Sequence, residues 1–304
     1  MYLITVALLV CVSLSFPYER TKYIMGIPVT VKTDRREVPA KIFSVFKKVD
    51  FYFSNYRKDS ILCRLNRQKI LNIDNFFRQM LEKSLTIYKD TYGYTDISIG
   101  NLTVRNGHAV DRCPAEKSDT TGIQNITIKG SVVVLKNGIS LDFGAVGKGF
   151  AVDRAVEEIR GETEKTVINA SGEIRCIGKC SVFIKNPFGN GAVAHFKTVK
   201  QETGISTSGT YERGNHLFNP FRKEFSASFI SITLFSDIEN VYLDGYATAV
   251  SVMPEEMAVE FLNRKKIGFV LIKKERCYIK GRYNDRFITE LTFLINLPEC
   301  KKRR

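Results

Sequence analysis

The sequence feature that most constrains the fold is the stretch 141–153, which reads Leu-Asp-Phe-Gly-Ala-Val-Gly-Lys-Gly-Phe-Ala-Val-Asp. An apolar lead-in ends at Asp142, three glycines follow, and apolar residues then recur at helical spacing, which predicts a strand, a glycine-rich turn and a helix. Glycine lets the backbone approach a bulky anion, and free N–H groups at a helix start attract negative charge. Lys148 adds a full positive charge. The stretch therefore suits phosphate, although a tight turn with a solvated lysine would give the same pattern.

The glycine spacing separates this stretch from two common phosphate-binding motifs. It does not follow Gly-x-Gly-x-x-Gly, and the last glycine is not followed by the Lys-Ser or Lys-Thr pair of a Walker loop. Neither a dinucleotide fold nor a P-loop fold is predicted.

The composition is that of a folded protein with anionic partners. With 304 residues and a hydrophobic share of 44%, the chain can bury a substantial core. The net charge of +14 favours nucleotides or phospholipid head groups. Lys and Arg are scattered and Trp is absent, so nucleic acid is not expected as the main substrate.

The first sixteen residues differ from the rest. Their apolar run is short for a membrane span, and small residues follow where a signal peptidase could cut. We expect residues 1–16 to be an export signal and residues 17–304 to form the functional domain, in the periplasm or on the outer face of the cytoplasmic membrane. No Lys or Arg precedes the run, so an uncleaved anchor with membrane association stays open.

Six cysteines lie beyond this segment, at positions 63, 113, 176, 180, 277 and 300. An even number permits disulfides in an exported protein, but no Cys-x-x-Cys is present. We expect most of them to be buried, unreactive thiols, and we expect no metal site built from them.

The order of the predicted elements indicates an α+β fold. Residues 23–31 read as an interrupted strand, apolar residues from 38 to 53 recur at helical spacing, and a second helix is predicted over 76–92. Residues 139–143 are predicted to be the strand that feeds the central loop, and β-branched stretches at 166–170, 181–185, 192–199, 204–208 and 225–235 favour an antiparallel sheet. A helix starting near Asp244 would place Asp244 and Thr248 one turn apart on one face.

Taken together and in this order, eight segments resemble the ApbE family of FAD:protein FMN transferases over residues 23–280. They are Met25-Gly26, Ser54-x-Tyr56-x-x-Asp59-Ser60 with Asn66, Asp96-Ile-Ser-Ile-Gly100, the loop 142–153, Asn169-x-x-Gly172, Gly204-Ile-Ser-Thr-Ser-Gly209, His216-x-x-Asn219-Pro220 and Asp244-x-x-x-Thr248.

The resemblance implies transfer of FMN from FAD to a Thr or Ser hydroxyl of a target flavoprotein, with Mg²⁺ required and AMP released. It implies an antiparallel sheet with flanking helices and an FAD cleft between the central loop and the Asp244 helix. Asp244, Thr248 and the backbone carbonyl of Ala145 would hold the metal, and His216 would be the general base. FAD would be contacted by Met25, Tyr56, Tyr94, Thr95, Asp96, Asp142, Lys148 and Phe218. The acceptor would carry a segment of the type Asp-x-x-Ser/Thr-Gly-Ala-Thr.

The chain departs from the family pattern at four places. Ser171 replaces a glycine, Glu173 replaces an aspartate, Asn219 stands where Asp is usual, and Arg222-Lys223 replaces the common Thr-Gly. None of these changes removes a proposed metal ligand or the base.

Three other functions fit the same residues. Water in place of the acceptor hydroxyl would make the protein a Mg²⁺-dependent FAD pyrophosphatase, and the altered residues near His216 would suit a non-catalytic FAD-binding protein. General anion binding through the excess positive charge would ignore the flavin and collapse with salt.

Overall fold

The structure, a computed structural model, describes residues 16–107, 118–209 and 217–300. All but the last residue of the predicted export segment lie outside these ranges, and so does His216. Within them, no helix is both long and apolar enough to cross a membrane.

The described chain alternates strands and helices. The strands are β1 (Tyr18–Ile24), β2 (Ile27–Thr33), β3 (Ile70–Asn72), β4 (Ile126–Lys129), β5 (Val132–Leu135), β6 (Thr166–Ala170), β7 (Glu173–Ile177), β8 (Ser181–Lys185), β9 (Ala192–Thr198), β10 (Glu202–Gly209), β11 (Phe218–Asn219), β12 (Glu224–Phe225), β13 (Ser231–Ser236), β14 (Gly268–Ile272), β15 (Tyr278–Lys280) and β16 (Ile288–Phe293). The helices are α1 (Val38–Phe53), α2 (Ile61–Gln68), α3 (Asn75–Asp90), α4 (Gly100–Arg105), α5 (Gly147–Glu158), α6 (Asn240–Val252) and α7 (Glu255–Arg264).

An antiparallel sheet of eight strands is the middle layer, in the order β1-β2-β6-β7-β10-β13-β14-β15. Strand β14 shows that both faces of this sheet are covered, because all five residues of the strand are buried. Phe269 and Leu271 join the large core formed with the helices, whereas Val270 and Ile272 join a second core with the small sheet β16-β9-β8. Successive side chains of a strand point to opposite faces, so helices cover one face and the small sheet covers the other.

The helices form where apolar periodicity predicts them. Helix α1 spans Val38–Phe53, and its apolar residues at positions 38, 42, 46, 49 and 53 are buried in the helical core. Because this spacing repeats every three or four residues, one face of the helix is apolar along its whole length. The predicted α+β class with an antiparallel sheet is confirmed.

Three local predictions are wrong. The strand predicted at 23–31 is a hairpin, because Met25 and Gly26 both have positive φ, 58° and 73°, and reverse the chain. Helix α6 begins at Asn240 rather than near Asp244, and the strand predicted at 225–235 begins at Ser231.

Residues 139–143 are not a strand either. One isolated bridge joins Ser140 to Ile99, and the backbone of the next residues bonds elsewhere. The side chain of Asn66 accepts from the N–H of Leu141 at 2.7 Å and donates to its carbonyl at 2.8 Å, while the N–H of Asp142 donates to the carbonyl of Ile97. The side-chain amide of Asn66 thus makes the two backbone hydrogen bonds that a neighbouring strand would otherwise make.

Free thiols are expected for most of the cysteines, but all five described ones are disulfide-bonded. Cys176 bonds to Cys180, Cys277 bonds to Cys300, and Cys63 is disulfide-bonded as well.

Candidate functional site

One cavity of about 540 Å³ opens between the central loop, the start of α5 and helix α6. Each described residue that the sequence predicted for the metal or FAD lines it: Met25, Tyr56, Tyr94, Thr95, Asp96, Asp142, Ala145, Lys148, Phe218, Asp244 and Thr248. Leu217 and Phe218, which directly follow His216 in the sequence, line it too. The cleft predicted between the central loop and the Asp244 helix is therefore present as one shared space.

Helices α5 and α6 are joined at their N-terminal ends by reciprocal carboxylates. Asp244 of α6 accepts from the N–H of Gly149 at 2.9 Å and from Nζ of Lys148 at 2.7 Å, both on α5. Asp153 of α5 accepts from the N–H groups of Asn240 and Val241 at 2.7 and 2.8 Å, at the start of α6. Each carboxylate thus satisfies N–H groups of the other helix that have no partner within their own helix.

Gly149 is required for this close approach. A Cβ on Gly149 would lie 2.3 Å from the carbonyl oxygen of Asn240 and 2.7 Å from Cα of Val241. These glycine-to-backbone contacts hold the N-terminus of α5 against α6 and so place Lys148 on Asp244.

A third carboxylate, that of Glu173, lies buried near the Lys148–Asp244 pair. Glu173 on β7 is fully buried, accepts from Oγ of Ser206 at 2.5 Å and receives Nδ2 of Asn240 at 3.3 Å. Burial raises the pKa of Glu173 well above its ordinary value, the negative charge of Asp244 raises it further, and Lys148 opposes both effects. The sequence analysis noted Glu173 only as a departure from the family pattern.

The residues at the inner end of the cavity fit a hard divalent cation. The Asp244 carboxylate, the Thr248 hydroxyl and the nearby Ala145 backbone offer oxygen atoms only, and such atoms are what Mg²⁺ prefers. Oγ1 of Thr248 donates to the Asp244 carbonyl at 3.1 Å, so its lone pairs stay available. Asp244 already binds a cation, the Lys148 ammonium. No cluster of three or more His, Cys, Asp or Glu that could hold a metal occurs among the described residues.

The rest of the predicted flavin site combines carboxylates with aromatic rings. Asp142 is held by Oγ1 of Thr103 and by the N–H of Gly144, at 2.8 and 2.7 Å. Asp96 accepts from the backbone N–H and hydroxyl of Ser98, and burial raises its pKa. Tyr56 lies in the loop between α1 and α2, lines the cavity and is 49% exposed.

Two of the four departures lie where the backbone is left-handed, which explains why glycine is usual at these positions. Ser171, where the family has a glycine, has φ of 48°, and Lys223, where glycine is common, has φ of 55°. These are left-handed conformations that glycine adopts without strain. Asn219 uses both ends of its amide, donating to the carbonyl of Val252 and accepting from the N–H groups of Phe221 and Arg222.

One wall of the cavity was not predicted from the sequence. Four consecutive residues of β8, at positions 182–185, line it. The sequence predicts β8 only as a strand, because nothing in five alternating residues indicates which edge of a sheet borders a cavity.

The fold and the cavity define a class: an α+β protein with an antiparallel central sheet and a cleft in which a helix N-terminus, a lysine and an oxygen-donor set suit a phosphorylated ligand. The model of the ApbE family matches residues 25–271, and the chain belongs to that family.

Relatives and solved structures agree with this assignment. The chain is 23% identical over 290 residues to the FAD:protein FMN transferase of Haemophilus influenzae, covering 83% of this chain and 82% of that protein. It is 24% identical over 272 residues to that of Escherichia coli K12, covering 79% and 77%. The ApbE protein of Thermotoga maritima superposes with a TM-score of 0.79 at 20% identity, covering 90% and 99% of the two chains. The flavin transferase ApbE of Vibrio cholerae gives 0.75 at 20%, covering 89% and 98%. The predicted ApbE-like fold is thereby confirmed.

Proposed function

We propose that this protein transfers FMN from FAD to a Thr or Ser hydroxyl of a target flavoprotein. The hydroxyl oxygen attacks the FMN phosphorus, the bond from that phosphorus to the bridging oxygen of the diphosphate breaks, and AMP leaves. The observation that carries the proposal is that Asp244 and Lys148, 2.7 Å apart, share one cavity with every described residue assigned to the flavin nucleotide. The names of the relatives support the same activity.

Lys148 and the start of α5 are the anion-binding part of this site. The Lys148 ammonium and the positive end of the α5 helix dipole favour a diphosphate in this cavity. Asp244, Thr248 and the carbonyl of Ala145 are the proposed Mg²⁺ ligands. When bound there, Mg²⁺ would neutralise charge on the phosphate oxygens and on the departing AMP.

His216 is the proposed general base, which takes the proton of the acceptor hydroxyl as the new phosphoester forms. An imidazole that titrates near neutrality suits this role. Met25, Tyr56, Phe218 and the segment Tyr94-Thr95-Asp96 are the proposed contacts to the rest of FAD.

We also propose that the protein acts outside the cytoplasm, after export directed by residues 1–16, in the periplasm or at the outer face of the membrane. The disulfides Cys176–Cys180 and Cys277–Cys300 support an oxidising compartment. Its partners would then be exported or membrane-bound redox flavoproteins with an acceptor segment of the type Asp-x-x-Ser/Thr-Gly-Ala-Thr.

The test uses purified protein, FAD and Mg²⁺, with and without a synthetic acceptor segment. We expect covalent flavin fluorescence on the acceptor and an equal amount of AMP, both abolished by EDTA. AMP with free FMN and no labelled acceptor would instead indicate a pyrophosphatase. FAD binding without AMP would indicate a binding protein, and binding that ignores the flavin and collapses with salt would indicate general anion binding.

A further inference from the structure

Strand β8 borders the cavity with its edge rather than with one face. Its four residues 182–185 all line the cavity, although successive side chains of a strand point to opposite faces. No residue of its partner β9 lines the cavity. In the described part of the chain, β9 is also the only strand that pairs with β8. The cavity therefore lies on the side of β8 that faces away from β9.

The hydrogen-bond register identifies which backbone groups point to that side. The N–H of Thr198 donates to the carbonyl of Cys180, and bonded pairs alternate along an antiparallel ladder. Val182 opposite Phe196 is then a bonded pair, whereas Phe183 opposite His195 is not. The N–H and carbonyl of Phe183 thus point away from β9, toward the cavity.

One exposed aromatic ring lies on this strand and another packs against the cavity lining. The side chain of Phe183 is 63% exposed, with its ring 4.6 Å from that of His195. Phe221, at the tip between β11 and β12, is 62% exposed, and its ring packs 4.5 Å from that of the cavity residue Tyr94. Exposed aromatic groups gathered at a cavity mouth are typical of a binding surface.

The tip between β11 and β12 carries two basic side chains. Arg222 and Lys223 follow Phe221 at the same tip and are exposed, and the whole chain carries a net charge of +14. The 3.7 Å contact between Arg222 and Glu224 joins two exposed side chains and offsets little of this charge. This tip, which follows the cavity residues Phe218 and Pro220, therefore complements an acidic polypeptide.

We propose that β8 is the docking edge for the acceptor. An extended, acidic segment of the target flavoprotein adds as a further strand to the outer side of β8, with Phe183 and Phe221 beside it. Main-chain hydrogen bonds hold such a segment whatever its side chains, and a strand is narrow enough to carry a hydroxyl into a cavity of about 540 Å³. This inference rests on the proposed function, because it names how the protein substrate of that reaction binds.

Substitutions at position 183 separate the backbone from the side chain. Phe183→Thr keeps the outward N–H and removes the ring, whereas Phe183→Pro removes both. Proline is tolerated on an edge strand where its missing N–H faces outward, so the ladder to β9 is kept. Ser181→Pro is the matched control, because Ser181 has the same outward position on β8 but does not line the cavity.

The readouts are the KM for a synthetic acceptor peptide and the affinity for FAD. Relative to Phe183→Thr, we expect Phe183→Pro to raise the acceptor KM about 3- to 10-fold, the effect of one lost backbone hydrogen bond. FAD affinity should be equal in the two variants, and Ser181→Pro should keep the wild-type acceptor KM. Equal acceptor KM in Phe183→Thr and Phe183→Pro would overturn the docking edge.

Hydrogen exchange on the wild-type protein provides a test that needs no variant to fold. Adding the acceptor peptide should slow exchange of the Phe183 amide and leave that of Val182 unchanged, because Val182 already bonds to β9. An unchanged Phe183 amide at saturating peptide would overturn the proposal even if flavin is transferred. A wild-type protein that labels no acceptor would overturn the proposed function, and the docking edge with it.

Discussion

Replacing Gly149 by alanine tests whether the contact between α5 and α6 builds the site. The added Cβ would lie 2.3 Å from the carbonyl oxygen of Asn240, whereas a relaxed carbon–oxygen contact is about 3.3 Å or more. The two helices must therefore separate by roughly 1 Å. That shift also stretches the 2.9 Å bond from the Gly149 N–H to the buried Asp244 carboxylate.

The cost follows from these two effects. Overpacking costs about 1–3 kcal/mol, and a buried acceptor that loses its donor costs about 1–3 kcal/mol more. Alanine gains about 1 kcal/mol over glycine inside a helix. We expect Gly149→Ala to lower the free energy of unfolding by about 3 kcal/mol. Because Asp244 moves relative to Lys148, we also expect weaker Mg²⁺ binding, so that turnover needs a higher Mg²⁺ concentration.

Gly147 on the same helix is the matched control. A Cβ there meets only Cε of Met25, at 3.7 Å, which is an ordinary contact. Gly147→Ala should therefore keep or raise stability by up to about 1 kcal/mol in urea unfolding. If Gly149→Ala proves as stable as Gly147→Ala, the argument that close helix approach forms the site is refuted.

Further predictions concern the chemistry, the buried aspartate and a disulfide. Asp244→Ala should abolish turnover with loss of Mg²⁺ binding, while His216→Ala should still bind FAD and lose transfer; wild-type rates in either variant would contradict these roles. Burial raises the pKa of Asp153 to about 7 from 3.8, so the folded protein keeps a proton that the unfolded chain releases. Stability should thus fall by up to about 4 kcal/mol as pH rises from about 4 to 7, and Asp153→Asn should remove that slope in urea titrations. Replacing both Cys277 and Cys300 by serine opens a loop with a sequence separation of 23 and should cost about 3 kcal/mol in urea unfolding under oxidising conditions; equal stability of the two proteins would contradict a stabilising role for this bridge.

Many of the secondary elements were readable from local pattern, because helix and strand formation depend mainly on near neighbours. Apolar spacing predicted α1 over Val38–Phe53, and the glycine-rich stretch predicted the turn into α5. The error at 139–143 occurred where a distant group satisfies the backbone. Asn66, distant in sequence, pairs with Leu141 and makes a strand at 139–143 unnecessary.

The sequence by itself carried the motifs whose resemblance to the ApbE family predicts the metal and flavin residues. Only the tertiary structure decided that Asp244 and Asp153 cap each other's helices, that Glu173 lies buried beside them, and that β8 presents its outer edge to the cavity. The physical reason is that pattern encodes what one segment prefers, whereas a shared hydrogen bond, a buried charge or a free sheet edge depends on which segments meet.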